Sequence, residues 1–213
     1  MKLYTYFRSS AAFRVRIALN LKGLAYEAAF VHLARGEHRA PGYGALNAQA
    51  LVPTLDDDGK LLTQSLAIIE YLDETRPPTP LLPKDAPGRA RVRSLAMLVA
   101  CEIHPLNNLR VLQHLKRALG QNDEQVNTWY RHWIDDGLAR LEADLATAMG
   151  TGKFCHGDTP TMADCCLVPQ IFNAQRYQCD IVPYPVAMRV FAQCMQLEAF
   201  DRAQPSKQPD AEK

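Results

Sequence analysis

Hydrophobic and polar positions follow two different periods over the first third of the chain. Lys2–Phe7 alternates apolar and polar side chains, Ala25–Leu33 has a similar strand-like composition, and both are predicted as β-strands. Between them apolar residues recur at helical spacing, with Ser9 or Ser10 in position to cap the helix. A strand, a helix and a strand joined by short loops predict a right-handed βαβ unit with parallel strands.

A hairpin and a further helix are predicted after this unit. Pro53–Leu55 and Lys60–Leu62 flank a turn of three aspartates and a glycine, which is typical of a hairpin. Ser65 is predicted to cap a helix whose apolar face includes Ile68 and Leu72. This order of elements predicts a mixed four-stranded sheet with helices packed against it.

A proline-rich segment, residues 77–87, separates this region from one with helical periodicity. Proline fixes φ and removes a backbone donor, so the segment is predicted as an ordered linker. The predicted helical stretches are Gly88–Leu119 with a break at Pro105, Asp123–Met149, a helix opened by Thr161 and Asp164, and Tyr184–Leu197. A frayed polar tail is predicted after Arg202. The sequence thus predicts an α/β domain over residues 1–76 and an all-α domain over residues 88–213.

Composition and charge are those of an ordinary globular protein. Of the 213 residues 47% are hydrophobic and 22% are charged, and the formal net charge is 24 − 23 = +1. A balance so near zero does not indicate binding to nucleic acid or to an anionic membrane, and no apolar run is long enough to cross one. The six cysteines lack CxxC spacing, which favours reduced thiols and a cytoplasmic location. The histidines lack metal-ligand spacing, so no metal site is expected.

The most informative polar stretch is Arg8-Ser9-Ser10, which follows a predicted strand and opens a predicted helix. A helix N-terminus carries roughly half a positive charge and free N–H groups, so it can stabilise a thiolate or a carboxylate. Serine is also a common helix cap that contributes about 1 kcal/mol and carries no chemistry. The stretch alone is explained by either interpretation.

Two further pairs have the same ambiguity. Val52-Pro53 stands at the start of a predicted strand, where a cis proline would turn the N–H and C=O of Val52 toward a ligand. A proline on an edge strand would need no such role. Gln64-Ser65 opens a predicted helix and suits a carboxylate, although capping alone would also explain Ser65.

Four motifs, taken together in their order and spacing, resemble the zeta class of glutathione transferases, in particular its maleylacetoacetate and maleylpyruvate isomerases. They are Tyr4–Leu19 with its two serines, Leu46–Leu55, Gln64–Leu72 and Gly157–Gln170. The resemblance extends from about Lys2 to Pro209. It implies a thioredoxin-like domain followed by a helical domain, which is the glutathione transferase fold, with glutathione as coenzyme and a homodimeric assembly.

The resemblance also implies roles for individual residues. Three catalytic residues are expected: Ser9 as the thiolate partner, Ser10 as the alternative, and Arg8 beside them. The further residues expected to bind glutathione are Val52, Pro53, Gln64, Ser65, His104 and Asn108, and those expected to bind substrate carboxylates are Arg8, Arg110 and Arg176. The family's usual Ser-Ser-Cys motif ends here in Ala11, so the only nucleophilic thiol expected at this place is that of glutathione.

The implied reaction is a cis–trans isomerisation in aromatic-compound catabolism. A glutathione thiolate adds to the double bond of a maleyl diketo acid, the bond rotates, and elimination releases the fumaryl isomer. Arg110 favours maleylpyruvate over maleylacetoacetate, but the sequence leaves the choice open. Two other functions remain open: a general glutathione transferase that conjugates or dehalogenates small electrophiles, and a non-catalytic glutathione-binding protein.

Overall fold

The computed structural model describes residues 1–212 and divides them into two compact units. One unit combines residues 1–81 with residues 195–212, and the other comprises residues 82–194. Within the described residues, no helix is both long and apolar enough to span a membrane.

The first unit is built on the predicted mixed sheet of four strands. The strands are β1 (Lys2–Thr5), β2 (Glu27–Phe30), β3 (Thr54–Asp57) and β4 (Lys60–Thr63). Their spatial order is β2-β1-β3-β4; β1 and β2 are parallel, and the other two pairings are antiparallel. The accompanying helices are α1 (Ser10–Leu21), α2 (Pro41–Leu46) and α3 (Ser65–Thr75). The sequence prediction of the sheet is therefore confirmed.

The register of the sheet brings three loops to one end. Tyr4 of β1 pairs with Thr54, the first residue of β3, and Thr54 also pairs with Thr63, the last residue of β4. Because β3 is antiparallel to both neighbours, the chain after β1, before β3 and after β4 meets at the same edge. Arg8 to Ser10, Val52-Pro53 and Gln64-Ser65 are the residues at these three places.

The second unit is helical, as predicted. Its elements are α4 (Ala86–Met97), a π-helical turn (Leu98–Ile103), α5 (Leu109–Arg117), α6 (Asp123–Thr147), α7 (Met162–Arg176) and α8 (Pro185–Met195). The expected break beside Pro105 lies between the π-helical turn and α5. Asp85, inside the segment predicted as a linker, already caps α4 by accepting a hydrogen bond from the Gly88 backbone N–H at 2.7 Å.

The C-terminal segment differs from its prediction. The tail after Arg202 is not frayed: α9 (Glu198–Ala203) packs against α1, with Phe200 and Ala203 buried, and a 3₁₀ turn (Pro205–Lys207) follows. Asn20 of α1 donates a hydrogen bond to the Ala199 carbonyl at 2.9 Å. Residues 195–212 thus group with the first unit, whereas the sequence placed them in the helical domain.

Candidate active site

The N-terminus of α1 follows β1 in the chain, and the first turn of the helix contains no acidic side chain. Ser9 is the N-cap, and its Oγ accepts a hydrogen bond from the Ala12 backbone N–H at 3.2 Å. Its own backbone N–H donates to the Tyr6 carbonyl at 2.9 Å. A hydroxyl that accepts one hydrogen bond can still donate its proton, so Ser9 and the helix end together suit an anion. Ser10 is the first residue of the helix itself.

The loop before β3 is held rigidly by side chains. The Tyr43 hydroxyl donates to the Leu51 carbonyl at 2.6 Å, and the Asn47 amide donates to the same carbonyl at 2.8 Å. The Val52-Pro53 peptide bond is cis, and the Val52 side chain is buried in an apolar cluster with Tyr6, Phe7, Val31 and Tyr43. Because the side chain points into this cluster, only the backbone of Val52 is left for a ligand.

The start of α3 corrects one expectation. Gln64, with φ of 69°, occupies the N-cap position, and Ser65 is the first helical residue rather than the cap. The buried Ser65 hydroxyl instead accepts a hydrogen bond from Nη1 of Arg14 at 3.2 Å, which ties α3 to α1. The Gln64 side chain donates to Gln49 at 2.7 Å, and so ties α3 to the loop before β3.

Arg8 is the charged group nearest in sequence to Ser9, and its guanidinium is partly engaged. Its Nη2 lies 3.2 Å from Oε2 of Glu212, and its Cζ lies 4.9 Å from the centroid of the Phe7 ring. The other Glu212 oxygen lies 2.9 Å from Nε2 of His32. The hydrogen bond with His32, and then the charge of Arg8, holds the pKa of Glu212 below its usual value.

In the second unit, His104, Asn108 and Arg110 lie at the break between the π-helical turn and α5. Asn108 is the N-cap of α5, and its side chain accepts from the Arg110 backbone N–H at 3.2 Å. His104 is half-buried and donates its backbone N–H to the Val99 carbonyl at 3.0 Å. Asn107 anchors this segment to α6 by donating to the Tyr130 carbonyl at 3.1 Å.

Arg176 lies in the last turn of α7 and is connected to the same part of α6 by aromatic rings. Its guanidinium is 5.3 Å from the Tyr177 ring, which stacks on the Tyr130 ring at 3.5 Å between centroids. Burial raises the pKa of Tyr130, so this ring stays neutral while Arg176 supplies the positive charge. Among the described residues neither Arg110 nor Arg176 makes an ion pair, and both side chains are exposed.

The structure thus brings together the three sequence-predicted groups of the first unit at the end of β1. In the second unit the predicted residues lie at the start of α5 and at the end of α7. Tyr130 of α6 contacts both places, because its carbonyl accepts from Asn107 and its ring stacks on Tyr177. The second unit also holds a cavity of about 410 Å³ between the π-helical turn and α6, and its lining contains none of the predicted site residues.

Sequence reasoning missed three residues that bind the segment before Ser9: Arg16, Asp210 and Glu212. Asp210 accepts a hydrogen bond from the Phe7 backbone N–H at 2.9 Å, across 203 residues of sequence. No local pattern in the tail announces this contact. Arg16 did leave a signal, because a charged residue within the apolar repeat of a helix must find buried partners.

Comparisons with known proteins identify the family of the chain. Residues 8–75 match the family described as glutathione S-transferase, N-terminal domain. The chain is 50% identical to a maleylpyruvate isomerase from Ralstonia sp over 211 residues, covering 99% of this chain and 100% of that protein.

Two solved structures have the same fold over the whole chain. The holo structure of a maleylpyruvate isomerase, described as a bacterial glutathione S-transferase in zeta class, superposes with a TM-score of 0.98 at 50% identity, with 100% of both chains covered. A maleylacetoacetate isomerase from Methylobacterium extorquens AM1, solved with bound malonate and GSH, gives 0.97 at 45% identity and the same coverage. The expected glutathione transferase fold is confirmed, and the chain belongs to the zeta-class glutathione S-transferase family of maleylpyruvate and maleylacetoacetate isomerases.

Proposed function

We propose that the protein is a glutathione-dependent cis–trans isomerase that converts a maleyl diketo acid to its fumaryl isomer. The observation that carries this proposal is the N-terminus of α1, where Ser9 is the N-cap and the first turn contains no acidic side chain. This is a site for an anion in a chain that provides no cysteine there, since residue 11 is alanine. The thiolate of an external thiol suits this helix end in charge and chemistry.

Glutathione is the thiol that we assign to this site. The Ser9 hydroxyl donates a hydrogen bond to the thiolate, and Ser10 contributes a second hydroxyl at the same helix end. The backbone of Val52, held beside the cis Pro53, pairs with the extended tripeptide, while Gln64 and the N-terminus of α3 bind a carboxylate. In the second unit we assign His104 and Asn108 to glutathione as well.

In the proposed reaction the glutathione thiolate acts as a catalyst, because it is regenerated at the end of each cycle. The sulfur adds its electron pair to one carbon of the cis double bond, and the displaced π electrons move onto the conjugated carbonyl oxygen as an enolate. The former double bond is now single and rotates. The enolate returns its electrons, the carbon–sulfur bond breaks, and the trans product leaves with the thiolate regenerated. No other protein nucleophile is required, so Ala11 is compatible with turnover.

Arginine side chains are the groups that suit the substrate's carboxylates and the enolate. A guanidinium binds a carboxylate through two parallel hydrogen bonds. We assign Arg8 in the first unit, and Arg110 and Arg176 in the second, to these charges. The maleylacetoacetate isomerase solved with GSH also held malonate, a small dicarboxylate, which supports a substrate of this class.

The test is an assay of maleylpyruvate and maleylacetoacetate isomerisation, each with and without glutathione. We expect turnover only with glutathione, and a higher kcat/KM for maleylpyruvate. In Arg110→Ala the KM for maleylpyruvate is expected to rise more than that for maleylacetoacetate. Arg117→Ala, an exposed arginine of the same helix, is the matched control.

Each alternative has its own outcome in this assay. Glutathione-dependent conjugation of a haloacid without isomerisation of either diketo acid would identify a general transferase. Binding of glutathione without any turnover would identify a binding protein. An equal effect of Arg110→Ala on both substrates would remove the reason for preferring maleylpyruvate.

We also propose that the active form is a homodimer in the cytoplasm. The zeta-class resemblance supports the dimer, and the six free cysteines are consistent with a reducing compartment. Sedimentation equilibrium at micromolar concentration is expected to give twice the chain mass of 23.8 kDa. A monomer at that concentration would contradict the assembly but not the chemistry.

A further inference from the structure

A fully buried guanidinium lies under the segment that leads from β1 to Ser9. Arg16 donates to the Tyr6 carbonyl at 3.3 Å and to the Phe7 carbonyl at 3.1 Å. It also donates to Oγ1 of Thr5 at 3.1 Å and to the Ala203 carbonyl in α9 at 3.1 Å. Burying a positive charge is costly unless its donors are satisfied, so these contacts explain how the charge is tolerated.

Asp210 binds the peptide group between Tyr6 and Phe7, whose carbonyl accepts from Arg16. Its Oδ2 accepts from the Phe7 N–H at 2.9 Å, and its Oδ1 is buried with no hydrogen-bond partner among the described residues. Burial lowers the pKa of Arg16 to about 10, and the negative charge of Asp210 opposes that lowering. Ala211, the next residue, packs on the apolar cluster that contains Phe7.

The two contacts restrict the backbone that carries the site. Phe7 has its N–H bound by Asp210 and its carbonyl bound by Arg16, and the next two residues are Arg8 and Ser9. The Tyr6 carbonyl accepts from both Arg16 and the backbone N–H of Ser9. Movement of the Phe7 peptide would therefore move Ser9 and the first turn of α1.

We propose that Arg16 and Asp210 are positioning residues of the reaction, which hold the Phe7 peptide so that Ser9 meets the glutathione thiolate. The C-terminal segment is then part of the thiolate-stabilising apparatus, although Asp210 itself contacts neither glutathione nor substrate in this scheme. This inference rests on the proposed function, because it takes the N-terminus of α1 as the thiolate site.

Loss of the Asp210 contact has a specific expected effect. A misplacement of the order of 1 Å weakens an oriented hydrogen bond strongly. The thiol of bound glutathione would then become less acidic, and kcat at neutral pH would fall but recover at higher pH. The KM for glutathione should change less, because Val52, Gln64 and Ser65 lie in other loops of the site.

The experiment compares Asp210→Ala with Asp210→Asn, which keeps an oxygen that can accept from the Phe7 N–H. The readout is the pH at which bound glutathione ionises, followed by the ultraviolet absorption of its thiolate. In Asp210→Ala we expect a rise of about one pKa unit, hence about threefold to tenfold less thiolate and a similar fall in kcat at neutral pH. Asp210→Asn should stay within about twofold of the unmodified protein.

Asp201→Ala is the matched control, because Asp201 is a carboxylate of the same C-terminal segment whose partners are Gln204 and Lys207. It should leave the thiol pKa unchanged even if the melting temperature falls. If Asp210→Ala does not fold, Arg16→Lys serves instead, since it keeps the buried charge but loses the planar fork. It should raise the thiol pKa in the same direction.

An unchanged thiol pKa in Asp210→Ala or Arg16→Lys would overturn the proposal, whatever happens to stability. So would an equal rise in Asp210→Asn, because the accepting oxygen would then not matter. Glutathione binding and ionisation are measured without isomerisation. A protein that ionises glutathione but turns over neither diketo acid would refute the proposed function and leave the positioning role testable.

Discussion

The helices α1 and α7 begin with the same kind of residue but have opposite surroundings. At α1 the cap is Ser9, and the first turn contains no acidic side chain. At α7 the cap is Thr161, and Asp164 supplies a carboxylate three residues later. Its Oδ2 accepts from the Thr161 N–H at 2.7 Å and its Oδ1 from the Cys155 N–H at 2.8 Å, all within the core.

This difference distinguishes a candidate ligand site, at α1, from a capping arrangement that serves folding, at α7. The positive end of α7 is already occupied by an internal carboxyl group that the fold buries completely. The first turn of α1 has no acidic side chain of its own, and we assign this helix end to an anion from outside. A serine or threonine cap alone therefore predicts a helix, and the absence of an acidic side chain in the first turn is what favours a ligand.

The largest expected effect is on stability, at α7. Asp164→Ala leaves the buried N–H groups of Cys155 and Thr161 and the Thr161 hydroxyl without their acceptor, at about 1–3 kcal/mol for each unsatisfied group. We expect a loss of about 3–5 kcal/mol in the free energy of unfolding, measured by urea denaturation. Asp180→Ala, an exposed control, should lose under about 1 kcal/mol. A loss as small as the control's would mean that the α7 carboxylate is not structural.

At α1 the corresponding change should affect activity rather than stability. Ser9→Ala removes the proposed donor to the thiolate, and loss of one such donor typically lowers kcat by about 10²–10³. The lost cap should cost only about 1 kcal/mol of stability. Steady-state kinetics and thermal unfolding measure the two effects separately. If Ser10→Ala lowers kcat more than Ser9→Ala does, the thiolate partner is Ser10.

Placing an acid in the first turn of α1 should make it resemble α7. In Ala11→Asp the new carboxylate competes with the thiolate for the same helix end, an interaction of about 1 kcal/mol, so glutathione affinity should fall about fivefold. Ala11→Ser, with a neutral polar side chain, is the control. Calorimetric titration with glutathione measures both. Equal affinities of the two variants would show that glutathione does not place an anion at this helix end.

The smallest expected effect concerns the anion already near α1, Glu212. Its folded-state pKa lies below the ordinary value of 4.5, so its contribution to stability is present above that pH and is lost as the pH falls through the lowered pKa. Glu212→Gln should therefore make thermal stability slightly less dependent on pH in this acidic range only. Melting temperatures of both proteins across the range test this. A difference that appears only near neutral pH would assign the effect to another group.

Local patterns predicted the elements of this fold, and the register of the sheet explains why the predicted loops meet. The hairpin, the capping pair at α7 and the break beside Pro105 depend on residues close in sequence, so single-sequence reasoning identified them. The contact between Asp210 and Phe7 joins residues 203 apart and leaves no periodic trace. The N-cap of α3 is Gln64 and not Ser65, the residue that the sequence predicted. The Ser65 hydroxyl accepts instead from Arg14, a tertiary partner that the local sequence does not reveal.

The most direct test of the central claim is the thiol pKa of glutathione bound to the unmodified protein. Thiolate absorption is recorded as a function of pH, with free glutathione as the reference. If the open end of α1 holds the thiolate, the bound thiol should ionise well below the value of about 8.5 that is ordinary for a free thiol. A bound thiol that ionises at the same pH as free glutathione would contradict the account.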